Sequence, residues 1–280
     1  MRKGLLTLTL TILLAATSAF AQQQIRSPRP SPKASIMQSV GITDITINYN
    51  RPGVKGRQIW GALVPFDKVW RTGANEATTI QFSDDVWING NKLAKGLYSL
   101  HTIPNATEWT VIFNSVAEQW GSYSYDAAKD ALRIKVAPQA ADHREWLTFE
   151  IPEMTTDTAK VVIRWENVAV PFTVDTQATQ KSLDAAAKAI AAMDTNRWMT
   201  PYRAADFAFT ANRMDEAQKW LDMSLKEQET LANLWLKARM LHAQGRKADA
   251  LRTAEQAIAK ATPEQKDFAA EVRKQSQAWK

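Results

Sequence analysis

From Ile36 onward the chain alternates apolar and polar positions with a period of two, the repeat of a strand that buries one face. Ile45, Ile47 and Tyr49 alternate with Thr46 and Asn48, and Thr78, Ile80 and Phe82 alternate with Thr79 and Gln81. Val86 and Ile88 lead into Asn89-Gly90, a pair suited to the positive φ angles of a tight hairpin turn. The alternation continues over residues 97–103, 109–113, 132–136, 147–151, 161–165 and 168–174. Some eight or nine short strands, with no helical period between most of them, predict an all-β domain over 36–175. Its expected form is an antiparallel β-sandwich or a jelly-roll-like barrel.

After about Thr176 alanine becomes frequent and apolar spacing moves to three and four, the period of a helix. Helices are predicted over 182–193, 199–211, 214–229, 231–244, 247–261 and 263–278, with breaks at Asn212 and Gly245. Pro201 and Pro263 sit where first-turn prolines belong. A shift of 33 residues lays Tyr202 on Trp235, Ala205 on Ala238, Arg213 on Arg246, Ala217 on Ala250 and Leu225 on Ile258. Residues 176–280 therefore read as an all-α, tetratricopeptide-like helical repeat domain with a concave face for a protein partner. A plain helical bundle is the alternative.

Two segments precede the β domain. In residues 1–21, Arg2 and Lys3 start a short apolar run that ends in Ala19-Phe20-Ala21, the pattern of a secretory signal cleaved after Ala21. The run is shorter than the ~20 residues of a membrane span, so no span is expected in the mature protein, which should be periplasmic or secreted. Residues 22–35 are polar and proline-rich and are expected to have little structure of their own.

Composition narrows the picture. There is no cysteine, so neither a disulfide nor a lipid anchor is available and a hydrophobic core must hold the fold. Eleven tryptophans supply much of its area. The net charge is +6; without Arg2 and Lys3, 33 basic residues face 29 acidic ones, or +4. That mild, dispersed excess does not point to nucleic acid.

The candidate chemistry lies in YNRPGVKGRQIWGALVPFDKVWRTGANEATT, residues 49–79. Arg51, Lys55, Arg57, Lys68 and Arg71 face only Asp67 and Glu76 there, and glycines and prolines interrupt every regular period. Turns of this kind hold charged groups in defined positions. An Arg51–Arg57–Arg71 cluster suits a carboxylate, phosphate or sulfate. Asn75 adds an amide, and Trp120, Tyr123 and Tyr125 are candidate stacking surfaces. Glu76, five residues from Arg71, is the candidate acid or base of a hydrolase or lyase, with Arg71 stabilising negative charge. A third reading makes these groups a polar network that pins loops. His101, His143 and His242 have no metal-ligand spacing, no phosphate loop or nucleophile elbow is present, and no cofactor is implied. His101 reads as structural, and the serines of Gly121-Ser122-Tyr123-Ser124-Tyr125 have no evident histidine partner.

RPGVKGRQIWG, VPFDKVWRTGANEATTI, KGLYSLHTIP, WTVIFN and WGSYSYDAAKDALRIKV closely resemble a secreted bacterial family classed as a domain of unknown function, number 2911. The resemblance covers about residues 35–174, and the helical tail resembles an extension that some members carry. It implies export and a shared β domain. The family pattern stresses, among others, Arg51, Lys55, Arg57, Arg71, Asn75, Glu76, Trp120 and Tyr125, and it implies no particular activity. The reading that follows is non-enzymatic: an exported β domain that binds a polar or anionic ligand, a glycan included, joined to helices that bind a protein.

Overall fold

The computed structural model describes residues 27–193 and 197–279; the expected signal, 1–21, lies outside them. Ten strands come first: β1 (Lys33–Val40), β2 (Thr43–Asn50), β3 (Thr78–Phe82), β4 (Val86–Ile88), β5 (Asn91–Leu93), β6 (Gly96–Ile103), β7 (Trp109–Asn114), β8 (Asp130–Val136), β9 (Gln139–Met154) and β10 (Thr158–Asp175). They form two antiparallel sheets, one ordered β1-β2-β3-β6-β7-β8 and the other β5-β4-β10-β9. The inward positions of both sheets share one core, in which Ile45, Ile80, Phe113, Leu147, Phe149, Val161, Trp165 and Phe172 are almost wholly buried. The expected sandwich is the observed one.

The details follow from local chemistry. Asn89 and Gly90 both take positive φ, 46° and 81°, and join β4 to β5 with Ile88 opposite Asn91, as a two-residue hairpin requires. The two runs at 161–165 and 168–174 are one strand rather than two. Before Glu166 the odd positions face the core and after it the even ones do. Glu166 sits at φ 53°, and the register with β9 shifts on either side of it. A bulge inserts one residue, so the inward set changes parity without ending the strand.

The 22–35 segment also departs from expectation in its described part. Lys33, Ala34 and Ser35 already belong to β1, paired with Asn50, Tyr49 and Asn48. Pro32 O accepts the Arg51 N–H at 2.9 Å. Prolines permit the extended run, and the exposed edge of β2 supplies the hydrogen bonds that a polar stretch lacks by itself.

Six helices follow: α1 (Ala178–Ala191), α2 (Met199–Thr210), α3 (Met214–Glu227), α4 (Leu231–Ala243), α5 (Lys247–Ala259) and α6 (Lys266–Gln277). Asn212 and Gly245, 33 residues apart, both adopt the left-handed conformation at a helix end. Arg213 N–H and Arg246 N–H then close back onto Ala208 O and Leu241 O, the usual helix-terminating bonds. Ala205, Ala217, Ala238 and Ala250, the alanines of the 33-residue register, are each fully buried, so the period seen in sequence marks where helices touch. Asp157, in the β9–β10 turn, accepts from Thr179 N at 2.6 Å and Thr179 Oγ1 at 2.8 Å. A carboxylate there satisfies an orphan donor of the first turn of α1. No described helix is long and apolar enough to cross a membrane.

Candidate functional site

Between β2 and β3 the chain spends residues 51–77 outside any strand, pinned by isolated bridges to β9, to β6 and to the loop after β7. Gly53 pairs with Trp146, Trp70 with Thr102, and Glu76 with Trp120. Beneath this loop lies a tryptophan cluster: Trp70 stacks on Trp165 at 5.8 Å and 19°, and Trp60 meets Trp109 edge-on at 4.9 Å. Trp70 Nε1 donates to Gly73 O at 3.1 Å, which gives the indole its polar partner.

Arg71 is aimed by the turn that follows it. Thr72 sits at φ 52°, unfavourable for a β-branched residue. It is held there by Thr72 Oγ1 donating to Thr102 Oγ1 (3.1 Å) and by Thr78 Oγ1 donating to Thr72 O (2.7 Å). Gly73 keeps the turn closely packed: a Cβ there would stand 3.0 Å from Thr78 Oγ1 and 3.1 Å from Asn50 O, tighter than usual contact. Strain held by specific bonds beside a cation is a common signature of a working site.

The expected residues separate into distinct places. Arg57, Arg71 and Asn75 line one hollow of about 290 Å³, together with Ser31, Pro52, Trp70 and Trp165. A second hollow of about 310 Å³ shares Leu63, Trp70 and Arg71 with the first and adds Lys68, Ser122 and Tyr123. Among the described residues, no carboxylate lines either one. Arg57 is half committed, donating to Val54 O (3.1 Å) and Gly53 O (2.6 Å). Arg71 differs: its side chain makes no hydrogen bond or ion pair among the described residues, and its Nε is buried without a partner. Burial lowers its pKa, and the nearby Tyr123 hydroxyl opposes that. A guanidinium nevertheless stays charged at neutral pH.

Of the other candidates, only Tyr123 lines either of these hollows. Arg51 donates from Nε to Leu147 O (2.9 Å) and from an Nη to Thr148 Oγ1 (2.8 Å), so it ties the loop to β9. The Lys55 side chain is exposed while its N–H reaches Glu145 Oε1 at 2.9 Å. Tyr125 donates to Asp130 at 2.6 Å and accepts from Arg133 at 2.8 Å. Burial and then Asp130 push its hydroxyl up to about 12. Trp120 is 60 % exposed and lines neither hollow, whereas Tyr123, 86 % exposed, stands at the rim of the second.

Glu76 does not meet Arg71. Arg29 donates to both carboxylate oxygens at 2.9 and 3.0 Å, Asn50 adds a bond of 3.1 Å, and Lys33 lies at 3.4 Å. The Arg29 hydrogen bond above all, helped by a backbone N–H and then by Lys33, holds the Glu76 carboxyl down to about 2 against the opposing effect of burial. A group so acidic and so occupied is poorly matched to proton transfer near neutrality, which removes the geometric basis for pairing Glu76 with Arg71 as acid or base. Because the unfolded carboxylate titrates near ~4.3, the pairing stabilises the fold above that pH. The gain is lost as pH falls toward about 2. Removing Arg29 by Arg29→Ala is expected to raise the Glu76 midpoint by about one unit, read by carboxyl-carbon NMR; an unmoved midpoint would contradict the pairing. The pair is more than a third exposed on both sides, so its effect on melting is expected to stay under about 1 kcal/mol.

Along the chain, Ser122 has no histidine close to it. In the fold Ser122 Oγ lies 3.3 Å from Nδ1 of His101, which is fully buried in β6 with Nε2 unpartnered among the described residues. Burial lowers the His101 pKa to about 4, partly opposed by Asp130. The unfolded imidazole titrates near ~6.5, so between about pH 6.5 and 4 only the unfolded chain takes up the proton. Stability is therefore full above that window and falls through it by roughly 3 kcal/mol. A folded His101→Phe protein is expected to lose most of this acid sensitivity in urea titrations run across the window; an unchanged pH profile would contradict the assignment.

The profile of a family described as "Protein of unknown function (DUF2911)" matches residues 31–174, just over half of the chain. No curated protein and no solved structure matches it.

Proposed function

This chain belongs to the DUF2911 family of proteins of unknown function, so its role has to be read from the site itself, and we propose that the β domain binds an anionic ligand between Arg57, Arg71 and Asn75. The observation that carries this reading is Arg71: a half-buried cation with no partner among the described residues, facing two hollows with no acidic lining. An uncompensated guanidinium costs desolvation energy in the empty protein, and an anion returns it through forked hydrogen bonds. The exposed Tyr123 ring at the rim of the second hollow favours a ligand with a flat or sugar-like body, an acidic glycan among them. The residue pattern of 1–21 supports export, which makes envelope molecules the natural ligands. The helices, tetratricopeptide-like in their 33-residue register, offer a surface for a protein partner, the reading that fits stacked helix pairs best. This role is binding, without catalysis.

Calorimetry with acetate, inorganic phosphate and acidic envelope glycans tests the site. Binding that weakens in both Arg57→Ala and Arg71→Ala is expected; affinities unchanged in both variants would sink it.

A further inference from the structure

Resting on the reading of Arg71 as an anion-binding cation, we infer that the second of its two hollows takes a tetrahedral phosphate monoester, gripped by Arg71, Lys68 and Ser122, with His101 as the positioning residue behind the serine. Arg71 and Lys68 come from the loop before β3, whereas Ser122 comes from the segment after β7, and all three line the same hollow. The donors therefore stand on two separate chain segments. A carboxylate has two oxygens in one plane and is satisfied by a single guanidinium fork. A phosphate monoester has three terminal oxygens and a charge of about −1.5 to −2, matching two cations and a hydroxyl.

Ser122 is equipped to donate. The His101 tautomer protonated at Nδ1 is the one that leaves no buried N–H without an acceptor. In that tautomer Nδ1–H donates to Ser122 Oγ, and the hydroxyl hydrogen remains for the ligand. The burial that keeps the ring neutral at neutral pH keeps the tautomer available. Around this pair Gly121 N–H donates to Asn75 O at 3.0 Å and Ala77 N–H to Gln119 O at 2.9 Å. The serine-bearing loop is thus fastened to the loop that carries Arg71, and the donors are fixed relative to one another. Tyr123 at the rim would meet the body of the ester.

The test is calorimetry on the full chain, with inorganic phosphate, sn-glycerol 3-phosphate and acetate, and co-sedimentation with phosphatidylcholine vesicles carrying phosphatidic acid. Both soluble phosphates are expected to bind at least tenfold more tightly than acetate. Ser122→Ala should weaken phosphate about tenfold and acetate less than twofold, as the loss of one hydrogen bond to a charged group implies. His101→Phe should reproduce the Ser122→Ala loss, and His101→Asn, which keeps a donor near Nδ1, should restore most of it. Arg71→Met should weaken all the anions. Sedimentation that depends on Ser122 and Arg71 would mark the lipid headgroup as the source; binding of soluble phosphates alone would mark a small metabolite, and either supports the phosphate chemistry. Equal affinity for phosphate and acetate, or a silent Ser122→Ala, overturns this inference while leaving the Arg71 anion site standing. A silent Arg71→Met, or no anion bound by the parent protein, overturns both.

Discussion

Arg71→Met is expected to weaken anion binding about a hundredfold while leaving the protein at least as stable as its parent. Most substitutions of a partly buried residue destabilise, so this sign is diagnostic. Arg71 has no hydrogen-bonding or ionic partner to lose among the described residues, and its charge is held where burial disfavours it. Methionine fills a similar volume without the desolvation cost. Anion affinity should fall by a factor of about 100, the scale of a charged hydrogen-bond pair, while the melting temperature holds or rises. A group whose removal helps folding but weakens binding is kept for its function. A melting temperature lowered by several degrees would show instead that Arg71 pins its loop, and the network reading of the sequence would take the place of the binding one.

The largest loss of stability is expected from Trp165→Ala. Trp165 is 2 % exposed on β10, stacks on Trp70 and meets Trp60 edge-on at 5.7 Å. Truncating a buried aromatic removes its transfer energy and leaves a cavity, together about 3–5 kcal/mol. Thermal unfolding should shift down by roughly 10 °C, at about 2–4 °C per kcal/mol for a chain of this size. Because Trp165 and Trp70 also wall the hollow that Arg57 and Arg71 line, the folded fraction should bind anions more weakly. Trp235→Ala offers the control. It removes the stacking partner of Trp279 among the helices, at 5.1 Å, and is expected to lower stability without changing anion affinity. A mild effect of Trp165→Ala, under about 1 kcal/mol, would mean that the tryptophan cluster does not carry the load its burial implies.

These predictions turn on a site that was partly legible in the sequence. The density of arginine and glycine at 51–76 located the irregular loop, and Arg57, Arg71 and Asn75 do come together. The convergence of all the candidates was not legible. Arg71 and Glu76 are five residues apart, but Thr72 and Asn75 both take positive φ between them. The chain turns, and the carboxylate lines a different hollow, with Lys33, Asn48 and Asn50. Proximity in sequence predicts side-chain proximity only inside a regular element, and this loop has none. Arg29 lay in the segment expected to be unstructured, 47 positions from the carboxylate it pairs with. Ser122 and His101, 21 positions apart, carry no spacing that pairs them, because only the β6–β7 hairpin and the loop after it bring them together.

What the sequence by itself determined is the periodic part. Alternation marked the strands, three-and-four spacing marked the helices to within a few residues, and Asn89-Gly90, Asn212 and Gly245 marked turns. Each of these signals is local, because burial of one face repeats with the geometry of the backbone. Even the bulge at Glu166 left its trace as a change of parity, although only the pairing with β9 identified it as a bulge rather than a strand end. The tertiary structure alone decided which charges meet. An ion pair or a donor–acceptor pair forms between atoms a few ångströms apart in space, whatever their separation along the chain. Arg51 and Leu147, 96 positions apart, are joined by folding, and Arg71 is left facing a hollow by the same folding.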